Sequence, residues 1–273
     1  MEKELKSWVD NEAVRPILIS KLSHKPMTSR WVLTWKEISG VRSIKARLCV
    51  RGFLDNQMNE IFTASATASS LSHRMLCSKA VRESWSVVSY DVSNAFMKGK
   101  TFDELGGSRK CNMVLPTTPM PPRPTLGGIA GWCARTLNKL DSDRFSLYAK
   151  HKAHEIALEV LKGVYGLKDA PLLWKEKLHS TLLKHGWVQS RHEECMYYLR
   201  RNGKLIAVVT THVDDLEATG DKPQLRELLN VLNKEFGRGT PLKEQSGSFT
   251  HCGVQYVQRD GELLTSQEKF VND

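Results

Sequence analysis

The chain has 273 residues, 40% of them hydrophobic and 26% charged. That composition excludes a fibrous or wholly disordered chain and leaves room for a sizeable core in one or two domains. A formal net charge of +10 points to a partner that carries phosphates, or to nothing more than a basic surface.

The start, MEKELKSWVDNE, is charged and lacks an apolar secretory core, and no apolar run approaches the roughly 20 residues that cross a bilayer. No membrane association is therefore expected. Six scattered cysteines form no CxxC pair and read as reduced thiols of an intracellular protein, cytoplasmic or nuclear. Cys111 and Cys133, followed by His151 and His154, fit no standard zinc spacing.

In chain order, residues 2–13 predict a helix with Leu5, Trp8 and Val9 on one side. RWVLTWKEI (30–38) and KARLCVRGF (45–53), joined by the turn-like SGVRSI, predict a hairpin. Residues 69–84 begin with capping serines and predict a second helix, and WSVVSYD (85–91) predicts a strand ending at Asp91. From Gly99 to about Val160 the text changes. PTTPMPPRP (116–124) holds five of the ten prolines and LGGIAG follows, so this stretch is expected to be a loop or inserted segment without packed elements.

The pattern recovers at PLLWKEKLHSTLLKHG (171–186), a predicted helix. ECMYYLRR and KLIAVVTTH flank Asn202-Gly203, a strong hairpin signal. A helix over 221–236 has Asp221 to cap it, Pro223 in its first turn and Gly237 to end it. The tail, CGVQYVQRDGELLTSQ, predicts a further hairpin around Asp260-Gly261. Hairpins interspersed with helices indicate an α+β fold with antiparallel pairing.

The chemistry concentrates at strand ends. In KLIAVVTTHVDDLEATG (204–220) a strand-forming run leads into adjacent carboxylates, Asp214 and Asp215. They are either the solvated tip of a hairpin or ligands for a cation. Adjacent strand residues point to opposite faces, so only a tight turn lets both serve one site. Together with Asp91, three strand-end carboxylates would suit two Mg²⁺ ions at a phosphoryl-transfer centre.

KARLCVRGF (45–53), SYDVSNAFMKG (89–99), LKGVYGLKDAPLLW (161–174) and THVDDL (211–216) stand in the order found in reverse transcriptases of copia-type long-terminal-repeat retrotransposons, which the chain resembles. The resemblance runs from SWVDNEAVRPI to LLTSQEKFV and spares only 100–160. It implies a right-hand polymerase: fingers in 1–84, palm in 85–99 and 161–265, a divergent insertion in 100–160, and the start of a truncated thumb in 266–273. It implies an RNA-directed DNA polymerase that extends a template-primer with deoxynucleoside triphosphates, using Mg²⁺, with Mn²⁺ as the alternative ion.

By the same resemblance Asp91, Asp214 and Asp215 are the catalytic, metal-holding carboxylates. Lys45, Arg47, Phe96, Lys168 and Asp169 are expected at the nucleotide, Phe96 as a steric gate against a ribose 2′-hydroxyl. Arg51, Gly166, Pro171, His212 and Gly253 are expected at primer and template. Read without the family, Phe96 is a core aromatic, and Lys45 and Arg47 belong to a solvated basic strand.

The sequence departs from the family where YVDD becomes HVDD and where YGLKQAPR becomes YGLKDAPL. Asp169 then places a negative charge where a polyanion is expected. The text ends where a thumb would develop and looks like a piece of a retroelement polyprotein. The alternative reading is therefore a decayed or co-opted remnant that binds nucleic acid without chemistry.

Overall fold

The protein is described by a computed structural model covering residues 1–38, 40–107, 109–117, 128–259 and 261–268. Its elements begin with α1 (Glu2–Asp10), β1 (Val14–Leu18), β2 (Ser29–Ile38), β3 (Val41–Val50), α2 (Ser70–Glu83) and β4 (Ser86–Asp91). There follow β5 (Cys111–Met113), α3 (Gly128–Leu140), α4 (Leu147–Lys150), β6 (Ile156–Val160) and α5 (Ala170–Lys184). Then come β7 (Val188–Gln189), β8 (Met196–Arg201), β9 (Lys204–His212), β10 (Asp215–Gly220) and α6 (Lys222–Phe236). The chain closes with β11 (Lys243–Ser246), β12 (Ser248–His251), β13 (Val254–Arg259) and β14 (Glu262–Ser266). Helices and antiparallel sheets mix as an α+β fold requires.

Two compact units divide the chain. The first comprises residues 1–64 and 96–174. In it β1, β6 and β5 form one antiparallel sheet, and β2 pairs with β3 over ten residues each. The helix α1 forms because Leu5, Trp8 and Val9 recur on one face. That face is buried with Leu48, Met113, Leu137 and Leu158, each such side chain contributing about 1.5–3 kcal/mol. One buried carboxylate joins helix to hairpin: Glu4 Oε1 accepts from Trp8 Nε1 (3.1 Å) and from the Leu48 amide (3.2 Å). Burial pushes that carboxyl above the usual range, against the lowering effect of these two bonds.

The second unit comprises residues 65–95 and 175–273. Its six-stranded antiparallel sheet runs β11-β4-β10-β9-β8-β7, and β12, β13 and β14 form a smaller antiparallel sheet. Asn202 and Gly203 close the β8–β9 hairpin with φ of 52° and 77°, the left-handed pair that the sequence predicts for this turn. Ser69 caps α2, its hydroxyl accepting from the Ser72 amide at 3.2 Å. Leu76 and Ala80 of α2 are buried in a core shared with Val87, Val208, Phe249 and Tyr256.

Several expectations change. The first helix ends at Asp10, and β3 already begins at Val41, which pairs with Ile38. Residues 99–160, expected to lack packed elements, contain β5, α3, α4 and β6. Here α3 inserts Cys133 and Leu137 into the first unit's core, and Leu158 of β6 joins them. Asp221 stands at the N-cap of α6 without a side-chain capping bond. The proline-rich 118–124, the turn residue Asp260 and the proposed thumb residues 269–273 lie outside the described residues.

Candidate active site

The β9–β10 hairpin explains the paired carboxylates. His212 stands opposite Asp215, so Val213 and Asp214 make a two-residue turn, and Asp215 opens the returning strand. The β-branched Val213 adopts φ 55°, a conformation costly for such a residue and found where the surroundings over-determine the backbone. The Asp214 carbonyl accepts from the Val92 amide at 3.1 Å, tying the turn to the end of β4. Asp91, the last residue of β4, is the direct cross-strand partner of Asp215.

The pair is thus both a hairpin tip and a carboxylate cluster. Direct partners across an antiparallel sheet share a face. One row therefore carries Lys243, Asp91, Asp215 and His212 across β11, β4, β10 and β9. Lys243 has no strand signature in the sequence and was invisible as a neighbour of Asp91.

The crowding is electrostatic as well as geometric. Burial, then the charges of Asp214 and Asp91, push the Asp215 carboxyl from 3.8 up to about 6. Such a set of hard oxygen donors suits Mg²⁺ or Mn²⁺. The His212 imidazole is shifted down, first by burial and then by His73, against the opposing charge of Asp214.

Two residues inward on the same face stands Glu217, fully buried and opposite Ser89 and Thr210. Its Oε2 is 2.5 Å from Nδ1 of His73 on α2. His251 of β12 contacts the Ser89 hydroxyl through Nδ1 at 3.1 Å. Sequence reasoning named none of His73, Glu217 and His251. The one available signal was a glutamate inside a strand-length segment.

In the first unit, three other expected residues gather around Tyr165. The Arg47 guanidinium lies over the Tyr165 ring, 5.4 Å from its centroid, and Phe96 meets the same ring edge-on at 5.7 Å. The Val50 amide donates to the Tyr165 carbonyl at 2.8 Å, stapling this loop to the end of β3. Gly166 is required there: its φ is 100°, and a Cβ would lie 1.9 Å from the Val50 carbonyl oxygen.

Lys45 is exposed on the same strand face as Arg47, two residues away. Arg51 follows β3, its amide donating to the Thr28 carbonyl at 2.9 Å. Lys168 is exposed, and Pro171 sits in the first turn of α5. Asp169 needs correction. Rather than presenting charge to a nucleotide or polyanion, its side chain is buried and accepts from Arg109 Nε at 3.0 Å. Arg109 Nη1 also donates to Asp55 at 2.9 Å, and this pairing holds the Asp55 carboxyl low against the raising effect of burial. In the second unit Gly253, at φ 79°, completes the β12–β13 turn.

Residues 148–273 match the family model described as reverse transcriptase (RNA-dependent DNA polymerase). The chain is 27% identical over 248 residues to the retrovirus-related Pol polyprotein from transposon RE2 of Arabidopsis thaliana, covering 89% of this chain and 14% of that protein. It is 24% identical over 279 residues to the Pol polyprotein from transposon TNT 1-94 of Nicotiana tabacum, covering 99% and 18%. The chain therefore spans less than a fifth of the length of either relative. A structure of telomerase from Candida albicans with a fragment of telomeric RNA aligns at TM-score 0.41 and 9% identity, covering 96% of this chain and 50% of that one. Among the described residues, no helix is long and apolar enough to cross a membrane. Residues 148–273 are thus similar to reverse transcriptases, and most of the chain is similar to a segment of retrotransposon Pol polyproteins.

Proposed function

We propose that this chain is the core of a copia-type RNA-directed DNA polymerase, extending a primer on an RNA or DNA template by two-metal nucleotidyl transfer. One observation carries the reading: Asp91 faces Asp215 across two strands, with Asp214 at the adjoining turn. Asp91 and Asp214 serve as the principal ligands of two Mg²⁺ ions, with Mn²⁺ as the alternative, and Asp215 is the third carboxylate. When bound, these ions lower the pKa of a primer 3′-hydroxyl and neutralise charge on the triphosphate.

The protein's own residues position the reactants and discriminate between them. Lys45 and Arg47 offer cations to the triphosphate, and the Arg47–Tyr165 contact supports this by fixing the guanidinium's direction. Phe96, braced edge-on by Tyr165, excludes a ribose 2′-hydroxyl by volume. Lys168 takes part in the nucleotide site, while Arg51, the backbone at Gly166 and Pro171, His212 and the turn at Gly253 contact primer and template. The partners are a template-primer and deoxynucleoside triphosphates, in the cytoplasm, in retroelement particles or in the nucleus.

His212, in place of the family's tyrosine and shifted away from protonation first by burial and then by His73, favours a second reading, a remnant that binds nucleic acid without catalysis. Primer extension with and without Mg²⁺ separates the two. Extension that is lost in Asp91→Asn supports the polymerase. Duplex binding without extension by the unaltered chain, in Mg²⁺ and in Mn²⁺, leaves only the remnant.

A further inference from the structure

A second group of metal-binding side chains lies in the second unit, distinct in donor chemistry from the aspartates. His73 of α2, His212 at the end of β9 and Cys252 in the β12–β13 turn each direct a ligand atom to within 4.8 Å of the others. These three and His251 line one cavity of about 550 Å³, which gives an ion its entry path. Cys252 is exposed, and His212 Nδ1 is buried without a hydrogen-bond partner.

His73 is prepared for the task. Its Nδ1 is engaged by Glu217 at 2.5 Å, which leaves Nε2 as the nitrogen free to bind an ion. A carboxylate behind a metal-bound imidazole fixes its tautomer and orientation and raises its basicity. Glu217 is fully buried and does not line the cavity, so it acts from behind.

We propose that His73, His212 and Cys252 form a Zn²⁺-class transition-metal site, with Glu217 as the positioning carboxylate and water in the fourth position. Two imidazoles and a thiolate are borderline-to-soft donors, which select Zn²⁺ over the Mg²⁺ preferred by carboxylate oxygens. Binding displaces the Cys252 thiol proton, so each ion taken up releases one proton to buffer. The same atoms allow a competing set, His73, Glu217 and His251, whose members also converge within 4.8 Å. His251 Nε2 lacks a partner in a side chain only 2% exposed. The cavity decides between the sets, because it is lined by Cys252 and not by Glu217.

The test uses the full chain stripped of metal, titrated with Co²⁺ as a spectroscopic probe and with Zn²⁺ by calorimetry in excess Mg²⁺. One equivalent of Co²⁺ should give tetrahedral d–d bands with a thiolate charge-transfer band. Zn²⁺ should abolish both, and Mg²⁺ should leave them unchanged. Cys252→Ser, at an exposed turn, should remove the charge-transfer band while the circular dichroism stays that of the parent. His212→Ala should weaken Zn²⁺ binding, and Glu217→Gln should cost roughly 10–100-fold in affinity. A charge-transfer band that survives Cys252→Ser, or binding lost in His251→Ala but kept in Cys252→Ser, overturns the assignment. So does the absence of any stoichiometric uptake.

Discussion

Replacing Asp215 by Asn removes one member of the carboxylate cluster and keeps the side-chain shape. Folding raises this carboxyl from 3.8 to about 6, so the native state holds the proton more tightly than the unfolded chain. Stability is therefore full below about pH 4 and declines as pH rises through about 6. At full burial the difference is worth ~3 kcal/mol. Asp215 is only partly buried, and solvent screening at the turn reduces the figure to about 1–2 kcal/mol.

Asn carries no such penalty. Without divalent ions, Asp215→Asn should exceed the parent by that amount at pH 8 and match it near pH 4. Thermal melts in chelator at pH 4.5, 6 and 8 read this as a gain of roughly 2–8 °C that grows with pH. Adding Mg²⁺ should raise the parent more than the variant, because an ion held by the proposed carboxylate site would bind only the native state. A pH-independent difference, or a variant destabilised at pH 8, refutes the picture of three carboxylates crowded against one another.

Four further substitutions probe other parts of the molecule. Arg109→Leu leaves the buried Asp55 and Asp169 without their cation and should cost about 3–5 kcal/mol in urea melts; a neutral substitution would mean that the pair is solvated. Gly253→Ala meets no atom within 4 Å, although its φ is 79°, and should cost about 1–2 kcal/mol. Gly166→Ala drives a Cβ onto the Val50 carbonyl and should be much worse by the same measure, so equal midpoints would contradict the close packing. In an active preparation, Phe96→Ala should raise ribonucleotide incorporation relative to deoxynucleotide incorporation. An unchanged ratio returns Phe96 to its packing against Tyr165.

Legibility in the sequence followed locality. The β8–β9 hairpin and α2 were readable because Asn202-Gly203 and Ser69 impose their geometry on the chain beside them. The helix α3 was missed because its glycines and the nearby prolines read as breakers. What makes it helical is the burial of Cys133 and Leu137 among residues distant in sequence. The strand β10 was missed for a related reason. Its sequence DLEATG puts a carboxylate where a buried strand should be apolar, and the imidazole that satisfies it lies 144 residues away.

The same distinction separates the two candidate sites. The aspartates announced themselves because a two-residue turn holds Asp214 and Asp215 together whatever surrounds them, and a strand end supplies Asp91. The imidazoles and thiol come from α2, β9 and the β12–β13 turn, and no sequence spacing encodes their convergence. Burying Glu217 without a partner would cost several kcal/mol, so a glutamate inside a strand requires a donor from another element. Asking which side chain supplies it leads to His73, and from His73 to His212 and Cys252. A buried charge that breaks the pattern of its strand is thus a pointer to tertiary structure, and here it points toward the proposed second metal site.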